Sequence, residues 1–368
     1  MKYYIISGEA SGDLHGGNLI HHLMRLDSAA QIRGWGGEHM QEEGAVIVKH
    51  YKDLAFMGFT EVLMNLNTIL KNIKFCKKDI LEFKPDVLIL VDYPGFNLRI
   101  AEFAHKNGIK VFYYISPQIW AWKQGRVHLI KKVVDRMFVI LPFEREFYKQ
   151  FDYDVSFPGH PLLDAIQKYI GGKVGSFDEK APKRITLLPG SRKQEIQKIL
   201  PIMLGGVSKF QNIKIRIGVA PSIPLEFYQS LLNGVNAELF TKGTYELLSN
   251  SDAALVTSGT ATLETALFNV PQVVCYKGGF ISYLLAKRFI KVKYISLVNL
   301  ILNKEAVPEL IQDDMNEKKI ALHLEKILCD TEFRRSMLDD YNKLKTLLGG
   351  PGASERAAEE MISILNKV

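Results

Sequence analysis

Arg184-Ile185-Thr186-Leu187-Leu188 runs into Pro189-Gly190-Ser191-Arg192, and Ala253-Ala254-Leu255-Val256 runs into Thr257-Ser258-Gly259-Thr260-Ala261-Thr262-Leu263-Glu264. Each stretch is a short β-like run that breaks at small residues and then opens a helix-like run. Small residues at such a junction leave backbone N–H groups bare at a helix N-terminus, where an anion is favoured. Arg192 adds a planar fork suited to phosphate oxygens. Ser258 and Thr260 add hydroxyls, and Glu264 adds a carboxylate able to accept from ribose hydroxyls. A diphosphate carrying a sugar fits this set, whereas two plain strand-to-helix turns capped by Ser and Thr would need only one of its parts.

The pattern extends outward from these loops. Lys2–Ser7, Gln31–Trp35, Asp86–Val91, Lys110–Ile115, Arg136–Ile140 and Tyr153–Phe157 read as strands of a first unit. Arg184–Leu188, Ile213–Val219, Ala237–Phe240, Ala253–Val256 and Gln272–Tyr276 read as strands of a second. Helical patterns alternate with them, which predicts an α/β protein with parallel sheets covered on both faces. The expected architecture is two Rossmann-like domains facing a cleft, with ligand loops at the strand ends. The glycine-rich stretch Gly171–Ser176 reads as the linker. The expected division is therefore residues 1–170, residues 171–349, and a last helix over 350–368 that returns to the first domain or to a partner. Gly349-Gly350-Pro351-Gly352 stops the preceding helix, and Ser354 reads as the cap of the last one.

At 368 residues, with 47% hydrophobic and 24% charged residues, the chain is long enough for two cores and has a globular composition. The net charge of +7 fits phosphate-bearing ligands or an anionic membrane surface. Charge alone does not separate these from nucleic acid, but no nucleic-acid motif accompanies it, and no nucleic-acid partner is expected. The three cysteines, Cys76, Cys275 and Cys329, lack metal-ligand spacing and suit a reducing compartment. No secretory signal and no run near the ~20 apolar residues of a membrane helix is present, so a cytoplasmic protein able to lie on a bilayer is expected.

The first loop, Ser7-Gly8-Glu9-Ala10-Ser11-Gly12-Asp13 with His15 after it, stands where a dinucleotide fingerprint would but lacks its spacing. Its carboxylates would repel a pyrophosphate and suit a sugar, so Glu9, Ser11, Gly12, Asp13 and His15 are the candidate acceptor contacts; a plain tight turn is the competing reading. Asp92 closes the apolar run Val87–Val91, where a carboxylate can take a proton from a hydroxyl, although it could equally cap the helix after Pro94. Ser116-Pro117-Gln118-Ile119-Trp120-Ala121-Trp122, followed by Lys123 and Arg126, offers aromatic faces beside cations, with core packing as the alternative. Asp152-Tyr153-Asp154 has a metal-holding form but reads as a solvated turn, and no metal or other cofactor is expected.

Phe59–Leu81 is helical by period, with Phe59, Val62, Leu63, Leu66, Leu70 and Ile73 as its core stripe. Met64, Lys71, Phe75 and Lys78 fall off that stripe and read as an interfacial membrane or acyl-chain contact. Lys287, Arg288, Ile290, Lys291 and Lys293 form a second basic cluster, read as a solvated face.

Taken in order, Ser7–Asp13 (SGEASGD), Pro85–Asn97 (PDVLILVDYPGFN), Ser116–Trp122 (SPQIWAW), Gly159-His160-Pro161, Leu187–Arg192 (LLPGSR), Ser258–Glu264 (SGTATLE) and Ser296–Leu300 (SLVNL) resemble the lipid A disaccharide synthases, inverting glycosyltransferases of the GT-B fold. The resemblance implies transfer from UDP-2,3-diacylglucosamine to 2,3-diacylglucosamine 1-phosphate, giving a β-1,6 disaccharide and UDP. It places Asp92 on the family's essential aspartate as general base, and Gly190, Ser191, Arg192, Ser258, Gly259, Thr260, Ala261, Glu264 and Asn299 on the UDP site. It further implies a peripheral enzyme on the inner face of the inner membrane of a Gram-negative-type bacterium, compatible with a homo-oligomer. Gly95 stands where many members carry a second Asp, and Val298 where many carry Pro. Rival readings on the same architecture are a UDP-N-acetylglucosamine 2-epimerase and the transferase of the peptidoglycan lipid precursor. A nucleotide-sugar-binding protein without catalysis is the rival of another class.

Overall fold

The computed structural model describes residues 1–54, 66–122, 124–170, 182–278 and 293–367. The chain forms two compact units, Met1–Asp164 joined by Leu348–Val368, and Ala165–Leu347.

In the first unit, β1 (Lys2–Ser7), β2 (Gln31–Gly36), β3 (Val46–His50), β4 (Val87–Val91), β5 (Lys110–Tyr114) and β6 (Arg136–Phe138) make a parallel sheet in the order β3-β2-β1-β4-β5-β6. The alternation of side chains along each strand divides its core in two. Tyr4, Ile6, Leu88, Leu90, Val111 and Tyr113 share one cluster with Ile73 and Ile80 of the helix Leu66–Phe83 and with Ile100 of the helix Pro94–Lys106. Tyr3, Ile5, Val87, Ile89, Phe112 and Tyr114 share the other with Leu19 and Leu23 of the helix Ala10–Leu26 and with Ala357 and Met361 of the helix Ala353–Asn366. Strands buried on both faces in this way read as unbroken apolar runs.

The second unit repeats the plan. Its strands β7 (Lys183–Leu188), β8 (Ile213–Gly218), β9 (Glu238–Phe240), β10 (Ala253–Thr257), β11 (Gln272–Tyr276) and β12 (Glu309–Ile311) lie in the order β12-β11-β10-β7-β8-β9, again parallel. In each sheet the order reverses between the first and fourth strands, the point where open α/β sheets bind ligands beyond their carboxyl ends.

Four readings of the sequence are corrected. Tyr153–Phe157 is no strand; it contributes one isolated parallel bridge, Phe138 to Ser156. The edge strands β3 and β12 were absent from the expected set. Leu70 is 57% exposed and leaves the core stripe, which among the described residues runs through Ile69, Ile73, Cys76, Ile80 and Phe83. Ser354 does not cap the last helix. Its N-cap is Gly352, and the Asp164 carboxylate accepts from the N–H groups of Gly352, Ala353 and Ser354 at 2.6, 3.3 and 2.9 Å. A carboxylate there satisfies bare donors and complements the helix dipole. Phe59, Val62, Leu63, Met64, Lys123, Lys287, Arg288, Ile290 and Lys291 lie outside the described residues.

Candidate active site

Each unit brings two of the expected loops to its own switch point. In the first unit these are the loop after β1, carrying Glu9, and the loop after β4, carrying Asp92. They touch: a Cβ on Gly8 would lie 2.4 Å from the ring of Tyr93, so only glycine lets that ring cross the β1 loop. The N–H of Asp92 still donates to the carbonyl of Tyr114 at 3.2 Å, and there the chain turns over, with φ of 45° at Asp92 and 49° at Tyr93. Left-handed backbone at consecutive non-glycine residues is strained, at about 1–2 kcal/mol per residue. Burial, helped by the negative charge of Glu9, pushes the Asp92 carboxyl up to about 6. A carboxylate so tuned holds its proton more tightly than a surface aspartate and is still ionised at neutral pH, as a general base requires.

Glu9 is exposed and stands at the N-cap of the helix Ala10–Leu26, and Ser11 is exposed beside it. Gly12 is buried against Ser7, whose hydroxyl would be 2.5 Å from a Cβ placed there. Asp13 is spent inside the fold instead of facing a ligand. It is 1% exposed and accepts from the N–H groups of Gly37, His39 and Met40 at 2.6, 3.1 and 3.2 Å, tying the end of β2 to the first helix. His15 has Asp164 and His160 as its charged and titratable neighbours, and burial pushes it down to about 4, so the ring is neutral.

The SPQIWAW segment follows β5. Trp120 is buried and meets Phe143 edge-on with ring centroids 4.9 Å apart, so this indole packs in the core. Beneath it lies a residue the sequence reading missed. Glu144 is fully buried, its carboxylate taking the hydroxyl of Ser116 at 2.5 Å and the N–H groups of Ile140 and Leu141 at 3.2 and 2.9 Å. Burial pushes it up to about 7. Its sequence signal was only an ordinary helix-start glutamate.

In the second unit the β7 and β10 loops line one cavity of about 280 Å³, with Gly190, Ser191, Thr257, Ser258, Gly259, Thr260 and Ala261 among its walls. Gly190 has φ of 110°, a conformation only glycine adopts readily, and Glu195 lies directly over it. Thr260 and Ala261 open the helix Thr260–Leu267, and first-turn N–H groups have no carbonyl of their own helix to meet. The cavity also takes Gly218 at the end of β8, Val219, Ala220 and Pro221 after it, and Thr244, none of which was expected. Their only signal was position after a strand.

Other expected members differ. Arg192 is the exposed N-cap of the helix Lys193–Val207 and is not among the residues lining the cavity. The Ser258 hydroxyl donates to the carbonyl of Ile295 at 2.9 Å and holds the loop. Glu264 also lies outside the lining, with Tyr245 as its hydrogen-bond partner, and burial pushes it up to about 7. Asn299, expected at the UDP site, has its side chain held within the fold. It is fully buried, its amide donates to Val307 O and Glu309 Oε1 at 2.8 and 2.9 Å, and its oxygen accepts from the N–H groups of Ala306 and Val307. That uses all four of its hydrogen-bonding positions.

Of the expected membrane residues, Phe75 is 45% exposed with its ring 6.1 Å from that of Trp35. Lys71 is exposed, and Lys78 is exposed and reaches Glu82 at 3.5 Å. Lys293, the described member of the second basic cluster, lies over the Tyr294 ring. Among the described residues no helix is long and apolar enough to cross a membrane, and no three His, Cys, Asp or Glu side chains are grouped to hold a metal.

Known proteins similar to this chain in sequence or in fold show its family. The lipid-A-disaccharide synthetase family matches residues 3–362. The lipid-A-disaccharide synthase of Syntrophus aciditrophicus is 40% identical, over 99% of this chain and 97% of its own. The UDP-GlcNAc 2-epimerase of Neisseria meningitidis, solved with UDP-GlcNAc bound, is similar in fold, with a TM-score of 0.72 at 13% identity over 99% of this chain and 100% of its own. The glycosyltransferase of kitacinnamycin gives 0.66 at 12% identity, over 99% of each chain. The two solved structures share the GT-B architecture of paired Rossmann-like units, while the sequence match spans both units; the chain belongs to the lipid-A-disaccharide synthetase family.

Proposed function

We propose that this glycosyltransferase moves 2,3-diacylglucosamine from its UDP derivative to the 6-hydroxyl of 2,3-diacylglucosamine 1-phosphate, with inversion. The observation that carries the reading is Asp92, a half-buried carboxylate on left-handed backbone at a strand end, tuned upward beside Glu9. In this scheme the cavity of the second unit holds the UDP, with the N–H groups at Thr260 and Ala261 and the Arg192 guanidinium turned to the diphosphate. Asp92 takes the proton of the acceptor 6-hydroxyl as its oxygen bonds to the anomeric carbon. The bond from that carbon to the β-phosphate oxygen breaks on the opposite face, and its electron pair leaves with UDP. Positive groups at the leaving diphosphate supply the stabilisation that a metal supplies elsewhere, which makes metal-free turnover part of the proposal.

The acceptor-binding role falls to the first unit, through Glu9 and Ser11. Its exposed Leu70, Phe75 and Leu81, with Lys71 and Lys78 on the same helix, form the face proposed to meet anionic lipid at the cytoplasmic side of the inner membrane.

The test is incubation with both acylated substrates while following UDP and disaccharide. UDP should appear only when both are present, and Asp92→Ala should lower turnover by about 10²–10⁴ with UDP affinity unchanged. Conversion of UDP-N-acetylglucosamine alone to its 2-epimer would favour the epimerase reading, and wild-type turnover in Asp92→Ala would reject the assignment of the base.

A further inference from the structure

The left-handed turn at Asp92 and Tyr93 needs a restraint, because a strand end left to itself relaxes to extended backbone. Two buried side chains supply it at a single atom. The carbonyl oxygen of Asp92 accepts from the Tyr113 hydroxyl at 2.6 Å and from the Asn97 amide at 2.8 Å. Asn97 also reaches the carbonyl of Val91 at 3.3 Å, and its own N–H donates to Tyr93 O at 3.1 Å.

Both donors sit on fixed elements. Tyr113 is fully buried on β5, in register with Leu90 of β4. Asn97 is fully buried in the first turn of the helix Pro94–Lys106. Its Oδ1 is buried with no hydrogen-bond partner among the described residues. A residue kept only for packing would be better served there by an apolar side chain of similar size, since an unmet buried acceptor is unfavourable.

We propose that Tyr113 and Asn97 are positioning residues for the transfer reaction, clamping the Asp92 carbonyl so that the strained backbone aims the carboxylate at the acceptor hydroxyl. The inference rests on the reading of Asp92 as the base. Neither side chain touches substrate in this scheme; each acts through the backbone of Asp92. A misplacement of about 1 Å in a reacting group can lower a rate about 10²-fold.

Tyr113→Phe removes one donor at nearly constant volume, and Asn97→Leu removes the other. Each should lower kcat about 10- to 100-fold while KM for both acylated substrates and the UDP dissociation constant stay within about twofold of wild type. The acid limb of kcat/KM, expected near pH 6 from the Asp92 carboxyl, should move in both variants, a change that a general loss of stability would not produce. In an Asp92→Asn background, Tyr113→Phe should slow the residual rate no further. Wild-type kcat with an unmoved acid limb in Tyr113→Phe, whose fold is checked by melting, would overturn the proposal. An equal slowing of the wild type and of the Asp92→Asn enzyme would overturn it too. Full turnover in Asp92→Asn itself would instead reject the base reading beneath it.

Discussion

The two units share one strand order and place their functional loops at the same switch point, yet the loops carry opposite chemistry. In the second unit the turn after β7 reaches positive φ through Gly190, and the walls of its cavity are mostly small residues. In the first, the turn after β4 reaches positive φ through Asp92 and Tyr93, and the β1 loop beside it carries Glu9. Glycine clears space for an anion to approach backbone N–H groups. Aspartate in the same kind of turn accepts strain and projects a carboxylate. Topology fixes where a ligand can sit, and the residue that bears the positive φ decides whether the site receives negative charge or supplies it.

The contrast can be broken in three ways. The largest effect should come from Asp13, since the acidic β1 loop is also a structural tie. Asp13→Ala leaves three N–H donors without their carboxylate and should lower stability by roughly 3 kcal/mol, read as a drop in the urea midpoint. A midpoint within experimental error of wild type would show that Gly37, His39 and Met40 find other acceptors.

The next test concerns Asp92 and stability. Its folded pKa, about 6, lies above the usual 3.8, so between those values the folded state binds more proton than the unfolded chain. Folding stability therefore falls as pH rises through this window, and the full penalty stands above pH 6. Asp92→Asn should raise stability at pH 7.5 by about 2–3 kcal/mol, at roughly 1.4 kcal/mol per pKa unit, and by almost nothing at pH 4, while turnover collapses. Equal melting temperatures for the variant and wild type at pH 7.5 would show the carboxylate to be unstrained by its burial.

The smallest effect belongs to the glycine side of the comparison. Gly190→Ala puts a Cβ into left-handed backbone and against Glu195. UDP affinity should fall about tenfold, for roughly 1–2 kcal/mol of lost binding, by calorimetric titration. Unchanged affinity would move the diphosphate off the β7 loop.

The strands that carry these loops were legible because burial on both faces writes them as uninterrupted apolar runs, as in Val87–Val91 and Ala253–Val256. The edge strands β3 and β12 were not: Val46–His50 is half-exposed along its length, and Glu309–Ile311 has one buried residue between two half-exposed ones. The loops were legible as loops, but the duty of each polar residue in them was not. Asp13 and Asn299 look like ligand groups in sequence because the same atoms that would bind a sugar also satisfy backbone donors 24 and 7 residues away. Such partners are set by packing and leave no trace in local spacing. Glu144 and Tyr113 escaped for the complementary reason, since a buried acid and a strand tyrosine declare nothing until a carbonyl or a hydroxyl is brought beside them.

The last helix, Ala353–Asn366, covers the face of the first sheet formed by Tyr3, Ile5, Val87 and Ile89, and its start is pinned by Asp164. All of Ala165–Leu347 is interposed between that face and its cover. During synthesis from the N-terminus, the inserted unit can complete its own core while the earlier-made unit still waits with part of one apolar face uncovered. The order of completion is thus the reverse of the order of translation. The interval in which this chain is most exposed to aggregation and to chaperones is the time the ribosome takes to reach Met361.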